Sequence, residues 1–147
     1  MRNVRLQSEI YVPDVPPPIW AEPSKPLRDS VVALVTAAGV HLKHQSPFIL
    51  AGDFTFREIP GDIEAEQLMV THGGYDNADV NKDINCMFPI DRLRELHTEG
   101  FIGGISPVMI GFMGGGGNQE KFRQETGPQI AALLKDKGVD IALLTAV

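Results

Sequence analysis

The chain has 147 residues, 43% of them hydrophobic, and its nineteen acidic and thirteen basic side chains give a formal charge of −6. That is enough apolar material for one self-supporting core, and the acidic balance argues against a phosphate backbone, and so against nucleic acid, as the main partner. A single cysteine forms no internal disulfide, the N-terminus MRNVRLQSEIYVPDV has no apolar signal core, and no uncharged apolar run reaches the ~18 residues of a membrane span, so a soluble cytoplasmic protein is expected.

In chain order, residues 12–26 hold six of the eleven prolines, which fix φ and remove backbone donors. They predict an extended arm over residues 1–30, ahead of an α/β domain over residues 31–147, with Ile19 and Trp20 available to dock it. Val31 to Thr36, VVALVT, is an unbroken and largely β-branched run, the mark of a strand buried on both faces. Val40 to Gly52 lacks helical periodicity and contains Pro47, which predicts a long loop or a short irregular helix. Phe54, Phe56 and Ile59 alternate with polar residues as in a half-buried strand closed by Pro60-Gly61, and Gln67 to Thr71 makes another short strand. Ile90, Leu93 and Leu96 lie three apart between Pro89 and Gly100, which predicts a helix over Pro89 to Glu99. A strand follows around Ile105 to Ile110, then the turn Gly114 to Gly117, then a helix holding Phe122, Ile130, Leu133 and Leu134. Pro128, with Thr126 and Gln129 spaced as a capping box, predicts a kink or a fresh start within that helix. Gly138 ends it, and Val139 to Thr145 is the last strand.

Strands alternating with helices predict an α/β fold: an open, mostly parallel sheet with helices on both faces, a three-layer arrangement of Rossmann-like or flavodoxin-like type. Ligands of such sheets bind beyond the carboxyl ends of the strands. On this reading the Ala37 to His44 loop, the His72 loop, the Gly114 to Gly117 turn and the end of the last strand share one rim.

The segment Thr71 to Leu93, THGGYDNADVNKDINCMFPIDRL, holds more chemistry than a connection needs. Asp79, Asn81, Asp83 and Asn85 alternate like the first ligands of a calcium loop. Ile84 and Ile90 stand where that loop requires its glycine and its closing glutamate, so a solvated acidic loop is expected. His72, Asp76 and Cys86 include no close pair of soft ligands, and no metal site is expected. Cys86 is a thiolate nucleophile or, as free cysteines commonly are, a buried structural thiol. His72 is a structural histidine or an acid/base, ahead of His41 and His44, while His97 belongs on an exposed helix face. Arg57 is an ion-pair partner of Glu58 or a carboxylate clamp. Tyr75, Asp76 and Asp83 suit proton or hydrogen-bond duties in a substrate pocket. Gly114, Gly115, Gly116 and Gly117 are a phosphate cradle or a tight turn, with no G-x-G-x-x-G register and no P-loop lysine. Thr36-Ala37-Ala38-Gly39 has the position, without the further hydroxyls, of a flavodoxin phosphate loop.

Taken together, LQSEIYVP, VALVTAAGVHLK, AGDFTFREIPGD, the Thr71 to Leu93 segment, GFMGGGG and ETGPQIAALLKDKGVDIALLTAV resemble the selenoprotein B subunits of the glycine, sarcosine, betaine and D-proline reductases along nearly the whole chain. The GGYDN and GFMGGGG forms look most like the D-proline branch. The resemblance implies an oxidoreductase subunit that reductively cleaves a carbon–nitrogen bond, converting D-proline to 5-aminovalerate with a dithiol reductant. It also implies a pyruvoyl group on a partner subunit, a hetero-oligomer, and no cofactor in this chain. In that family a selenocysteine or cysteine follows the last strand almost at once. Val147 would therefore stand at the threshold of the nucleophile, in the N-terminal portion of a longer subunit that is inactive as a reductase by itself. Left open beside this are component B of a glycine, sarcosine or betaine reductase and a non-catalytic phosphate- or flavin-binding domain.

Overall fold

A computed structural model describes residues 21–114 and 118–146. Most of the expected proline-rich arm, together with Gly115, Gly116 and Gly117, lies outside the described residues. The centre of the sheet is β1 (Val31–Thr36), where five successive residues from Val32 are buried, as an unbroken apolar strand requires. On one side it pairs in parallel with β7 (Ile141–Thr145), from Val32 opposite Ile141 to Thr36 opposite Thr145. On the other side it meets two collinear pieces, β5 (Gly104–Ile105) and β6 (Val108–Phe112), both parallel. The break between them falls at Ser106-Pro107, because proline has no N–H to give the ladder. There the Ser106 hydroxyl donates to the carbonyl of Val108 and accepts from its amide. Outside β6 lies β3 (Phe56–Pro60), antiparallel to it. The result is a mixed α/β, mostly parallel sheet with one antiparallel edge.

The two faces carry separate cores. Val32, Leu34, Ile59 and Met109 point to one face, and Ala33, Val35, Val108 and Ile110 to the other. The first is covered by helix α1 (Ile90–Thr98), through Ile90 and Leu93, and by an antiparallel ribbon of β2 (Val40–Leu42) with β4 (Leu68–Val70). The second is covered by Ile130 and Leu134. Both belong to the last of three consecutive helical pieces: α2 (Gln119–Lys121), a π-helical turn Phe122–Thr126, and α3 (Gly127–Asp136).

Three expectations change. Val40 to Gly52 is not simply a loop or irregular helix, because its first three residues form β2, fully buried under β4. The capping box at Thr126 does not form: Thr126 has helical backbone angles and its hydroxyl donates to the Phe54 carbonyl. Helix therefore runs through that position as a π-turn, with Pro128 in the first turn of α3, where its missing N–H is harmless. Finally, a helix lies on each face of the sheet, but a β-ribbon rather than a helix follows β1, so one face is covered by ribbon and helix together.

Candidate functional site

The carboxyl ends of β1, β6 and β7 meet at Thr36-Ala37-Ala38-Gly39, and nearly every polar atom of this short loop is spent on holding neighbours. The Ala37 amide donates to the Thr145 carbonyl at the end of β7 (2.9 Å), and the Gly114 amide donates to the Ala37 carbonyl (3.0 Å). The Gly39 amide donates to Phe112 O (2.9 Å), and the Thr71 amide to Gly39 O (3.0 Å). The Tyr75 hydroxyl donates to Ala38 O (3.1 Å). From the other side the hydroxyls of Thr36 and Thr145 both donate to the Met87 carbonyl, at 3.2 and 2.7 Å, binding the Ile84–Cys86 3₁₀ turn to the same rim. The His72 loop, the start of the glycine turn, the last strand and the cysteine turn thus converge on one loop. Gly39 makes this possible. Its φ of +73° suits glycine, and a Cβ there would sit 2.3 Å from Thr71 O.

His72 is buried at 6% exposure. Burial lowers its pKa, so the ring is neutral near pH 7. Nδ1 accepts from the Gly74 amide at 2.9 Å, which assigns the proton to Nε2. That Nε2–H has no partner. It and Asn77 Oδ1 are the two orphaned buried side-chain polar atoms among the described residues, and both belong to the 72–77 loop. Buried donors are nearly always paired, by water where not by protein, so this N–H is open to a water or to a polar group of a ligand. Tyr75 lies against the imidazole at 5.0 Å between ring centroids, and burial raises its phenol pKa.

The other sequence candidates separate. Cys86 is exposed, not the buried structural thiol that was one of its two readings, because Ile84 and Phe88 take the inward positions of that segment. Asp76 is exposed and accepts from the Ala78 amide, and Asp83 caps the 3₁₀ turn by accepting from the Asn85 amide. The alternating acidic and amide residues are also occupied. Asp79 pairs with Lys82, Asn81 accepts from the Val70 amide, and Asn85 bridges to Asp91. Arg57 is not joined to Glu58. Its guanidinium donates to Ser46 O, Pro47 O and Thr55 Oγ1 and lies over Phe48 at 4.4 Å, which fastens the 46–48 loop to β3. His41 is buried, bonded to Leu42 O and Thr71 Oγ1, whereas His44 and His97 are exposed. No amide of Ala37, Ala38 or Gly39 is left for a phosphate, since Ala38 N donates to Thr36 Oγ1. The orphan at His72 has no sequence signature, because it depends on which ring nitrogen the Gly74 amide meets.

The sequence profile of the glycine/sarcosine/betaine reductase selenoprotein B family matches residues 1–147. The chain belongs to that family. Among its relatives, D-proline reductase subunit gamma of Acetoanaerobium sticklandii is 65% identical over 141 residues, which are 96% of this chain and 58% of that protein. Glycine reductase complex component B subunit gamma of Carboxydothermus hydrogenoformans is 32% identical, over 99% of this chain and 36% of the relative. Sarcosine reductase complex component B subunit beta of Peptoclostridium acidaminophilum is 30% identical, over 97% and 35%. This selenoprotein B chain therefore spans between about a third and three-fifths of the lengths of these relatives. No solved structure matches it. Among the described residues no helix is long and apolar enough to cross a membrane.

Proposed function

We propose that this chain is the scaffold side of a D-proline reductase site, working in a complex with a pyruvoyl-bearing subunit. In the overall reaction a dithiol supplies two electrons and two protons and becomes a disulfide. The bond between the α-carbon and nitrogen of D-proline breaks, carbon and nitrogen each take one hydrogen, and 5-aminovalerate results. The pyruvoyl group supplies an electron sink, and a selenocysteine or cysteine carried on chain beyond β7 supplies the nucleophile.

The observation that carries this reading is the rim. β7 ends held from both sides, by the Ala37 amide on its backbone and by its own Thr145 hydroxyl on Met87 O. Chain that leaves an end held in this way starts from a fixed point, which suits the close positioning that efficient displacement demands. His72 contributes a neutral imidazole whose Nε2–H is unspent in the same loop cluster. The 65% identity to a D-proline reductase subunit, against 32% and 30% for the glycine and sarcosine relatives, favours proline over the acyclic amines.

The test is D-proline-dependent dithiol oxidation by the assembled complex, with this chain continued beyond β7 as in the longer relatives. Turnover of D-proline is expected, and Thr145→Val should lower kcat about tenfold while leaving KM for D-proline near its original value. Turnover with glycine, sarcosine or betaine but none with D-proline would leave the family standing and remove the substrate.

A further inference from the structure

A cleft of about 460 Å³ opens on the helix side of the sheet, at the carboxyl end of β6. Its apolar walls are Phe112, Met113, Phe122 and Pro128, with the two phenylalanine rings packed at 4.6 Å between centroids and 32° between planes. Two opposite charges line it, Asp53 and Arg123. A mostly apolar recess with a few placed polar groups is the ordinary form of a small-molecule site.

Asp53 is fixed and only 7% exposed. Burial pushes its carboxyl up. The Thr55 hydroxyl, the Ile49 and Thr55 amides and the charge of Arg57 outweigh this, and hold it ionised below the usual carboxylate range. Oδ1 accepts twice from Thr55 and Oδ2 once from Ile49, at 2.6 to 2.8 Å. A carboxylate accepts at about four positions, so one on Oδ2 is unspent. Arg123 is exposed on the π-turn and, among the described residues, joins no ion pair. The Thr126 hydroxyl ties that turn to Phe54 O, beside Asp53. Single π-turns inside helices recur at functional sites.

We infer that this cleft binds a small zwitterionic amino acid with a compact apolar ring or chain. Its carboxylate lies on the Arg123 fork, its ammonium on the free position of Asp53, and its hydrocarbon against Phe112, Phe122 and Met113. The zwitterion class rests on the cleft alone; naming proline as the occupant rests on the reductase reading. Gly114 connects the two sites, since it lines the cleft and donates to Ala37 O, while the Ala37 amide bonds Thr145. Two strand spacings, about 10 Å, separate the lines of β6 and β7 at that end.

The experiment is an NMR titration of the 147-residue chain, following the backbone amides of Gly114, Phe122 and Arg123, with D-proline, cyclopentanecarboxylate and pyrrolidine. D-proline should give saturable shifts, with each half-ligand at least about tenfold weaker, as expected when either charged contact is lost. Arg123→Gln, on an exposed side chain, should weaken D-proline about tenfold and leave pyrrolidine unchanged. The assignment is overturned if D-proline moves none of these amides, if pyrrolidine binds as tightly, or if Arg123→Gln binds D-proline like the parent. Should the assembled complex carrying Arg123→Gln reduce D-proline at an unchanged KM, the cleft falls and the reductase reading stands. D-proline binding here by a chain whose complex never reduces it would do the reverse.

Discussion

Gly39→Ala is the most direct test of the rim. The substitution meets two separate obstacles. The backbone at +73° is the left-handed region, where a Cβ costs about 1–2 kcal/mol. In addition the new methyl would lie 2.3 Å from Thr71 O and 3.0 Å from Thr71 C, about an ångström inside contact, against backbone that β4 and the His72 loop hold in place. Forcing a methylene into packed surroundings costs a further 1–3 kcal/mol or so. Gly138 supplies the control. Its φ is +71°, yet nothing lies within 4 Å of a Cβ built there, so Gly138→Ala meets only the first obstacle. Urea unfolding followed by far-UV circular dichroism should show Gly39→Ala losing about 2–5 kcal/mol and Gly138→Ala about 1–2, with similar m-values. Equal losses in the two variants would mean that Thr71 yields freely, and the clamp between β1 and the histidine loop would have to be abandoned.

Burial holds both His41 and His72 below their ordinary pKa of 6.5. The unfolded chain therefore takes up protons first as pH falls, so the stability from their neutral burial is complete above about pH 6.5 and declines below it. Urea midpoints from about pH 8 to about pH 5 should fall on the acid side, and His72→Gln should flatten that slope; an unchanged slope would contradict a buried neutral His72. Asp53, also depressed, contributes stability above its ordinary value of 3.8 that disappears only as pH falls through its still lower folded value, a separate and more acidic window. Cys86, being exposed, should react with Ellman's reagent in the native chain within about tenfold of its rate in urea; protection greater than that would place the thiol inside. Arg57→Ala should cost about 1–3 kcal/mol by urea unfolding, and Arg57→Lys most of that, because an ammonium cannot span Ser46, Pro47 and Thr55 together. A loss below about 0.5 kcal/mol would show that the loop holds without it.

The long signals were legible in the sequence. VVALVT could only be a strand covered on both sides, the three-apart spacing of Ile90 and Leu93 placed α1, and Gly138 ended α3 as expected. What escaped had no period to detect. A three-residue strand such as Val40–Leu42 offers too few positions for alternation, and its middle residue is a histidine whose burial depends on Thr71, thirty residues away. The antiparallel sense of β3 is likewise invisible locally, because it exists only in the pairing of Phe56–Pro60 with Val108–Phe112, about fifty residues on. Thr126 satisfied the spacing of a cap, but the preceding turn already makes its backbone helical, which no sequence spacing reveals, and its hydroxyl donates to the distant carbonyl of Phe54. At the rim, sequence position alone placed His72, Tyr75, Gly114 and the end of β7 together. Which of them retained free hydrogen-bonding capacity was decided by tertiary geometry, and Arg123, in no motif, was not anticipated at all.

β7 has one more consequence. It is laddered to β1 on one side only, among the described residues, and Leu143 and Leu144 are 43% and 72% exposed on opposite faces. Ile141 to Thr145 contains none of the usual sentries, neither a proline nor a lysine nor an inward charge, that keep a free margin from recruiting a stranger. In solution such a bare flank invites a second molecule to extend the pleat. In the isolated chain one charged residue in place of Leu144 is the simplest way to discourage that pairing.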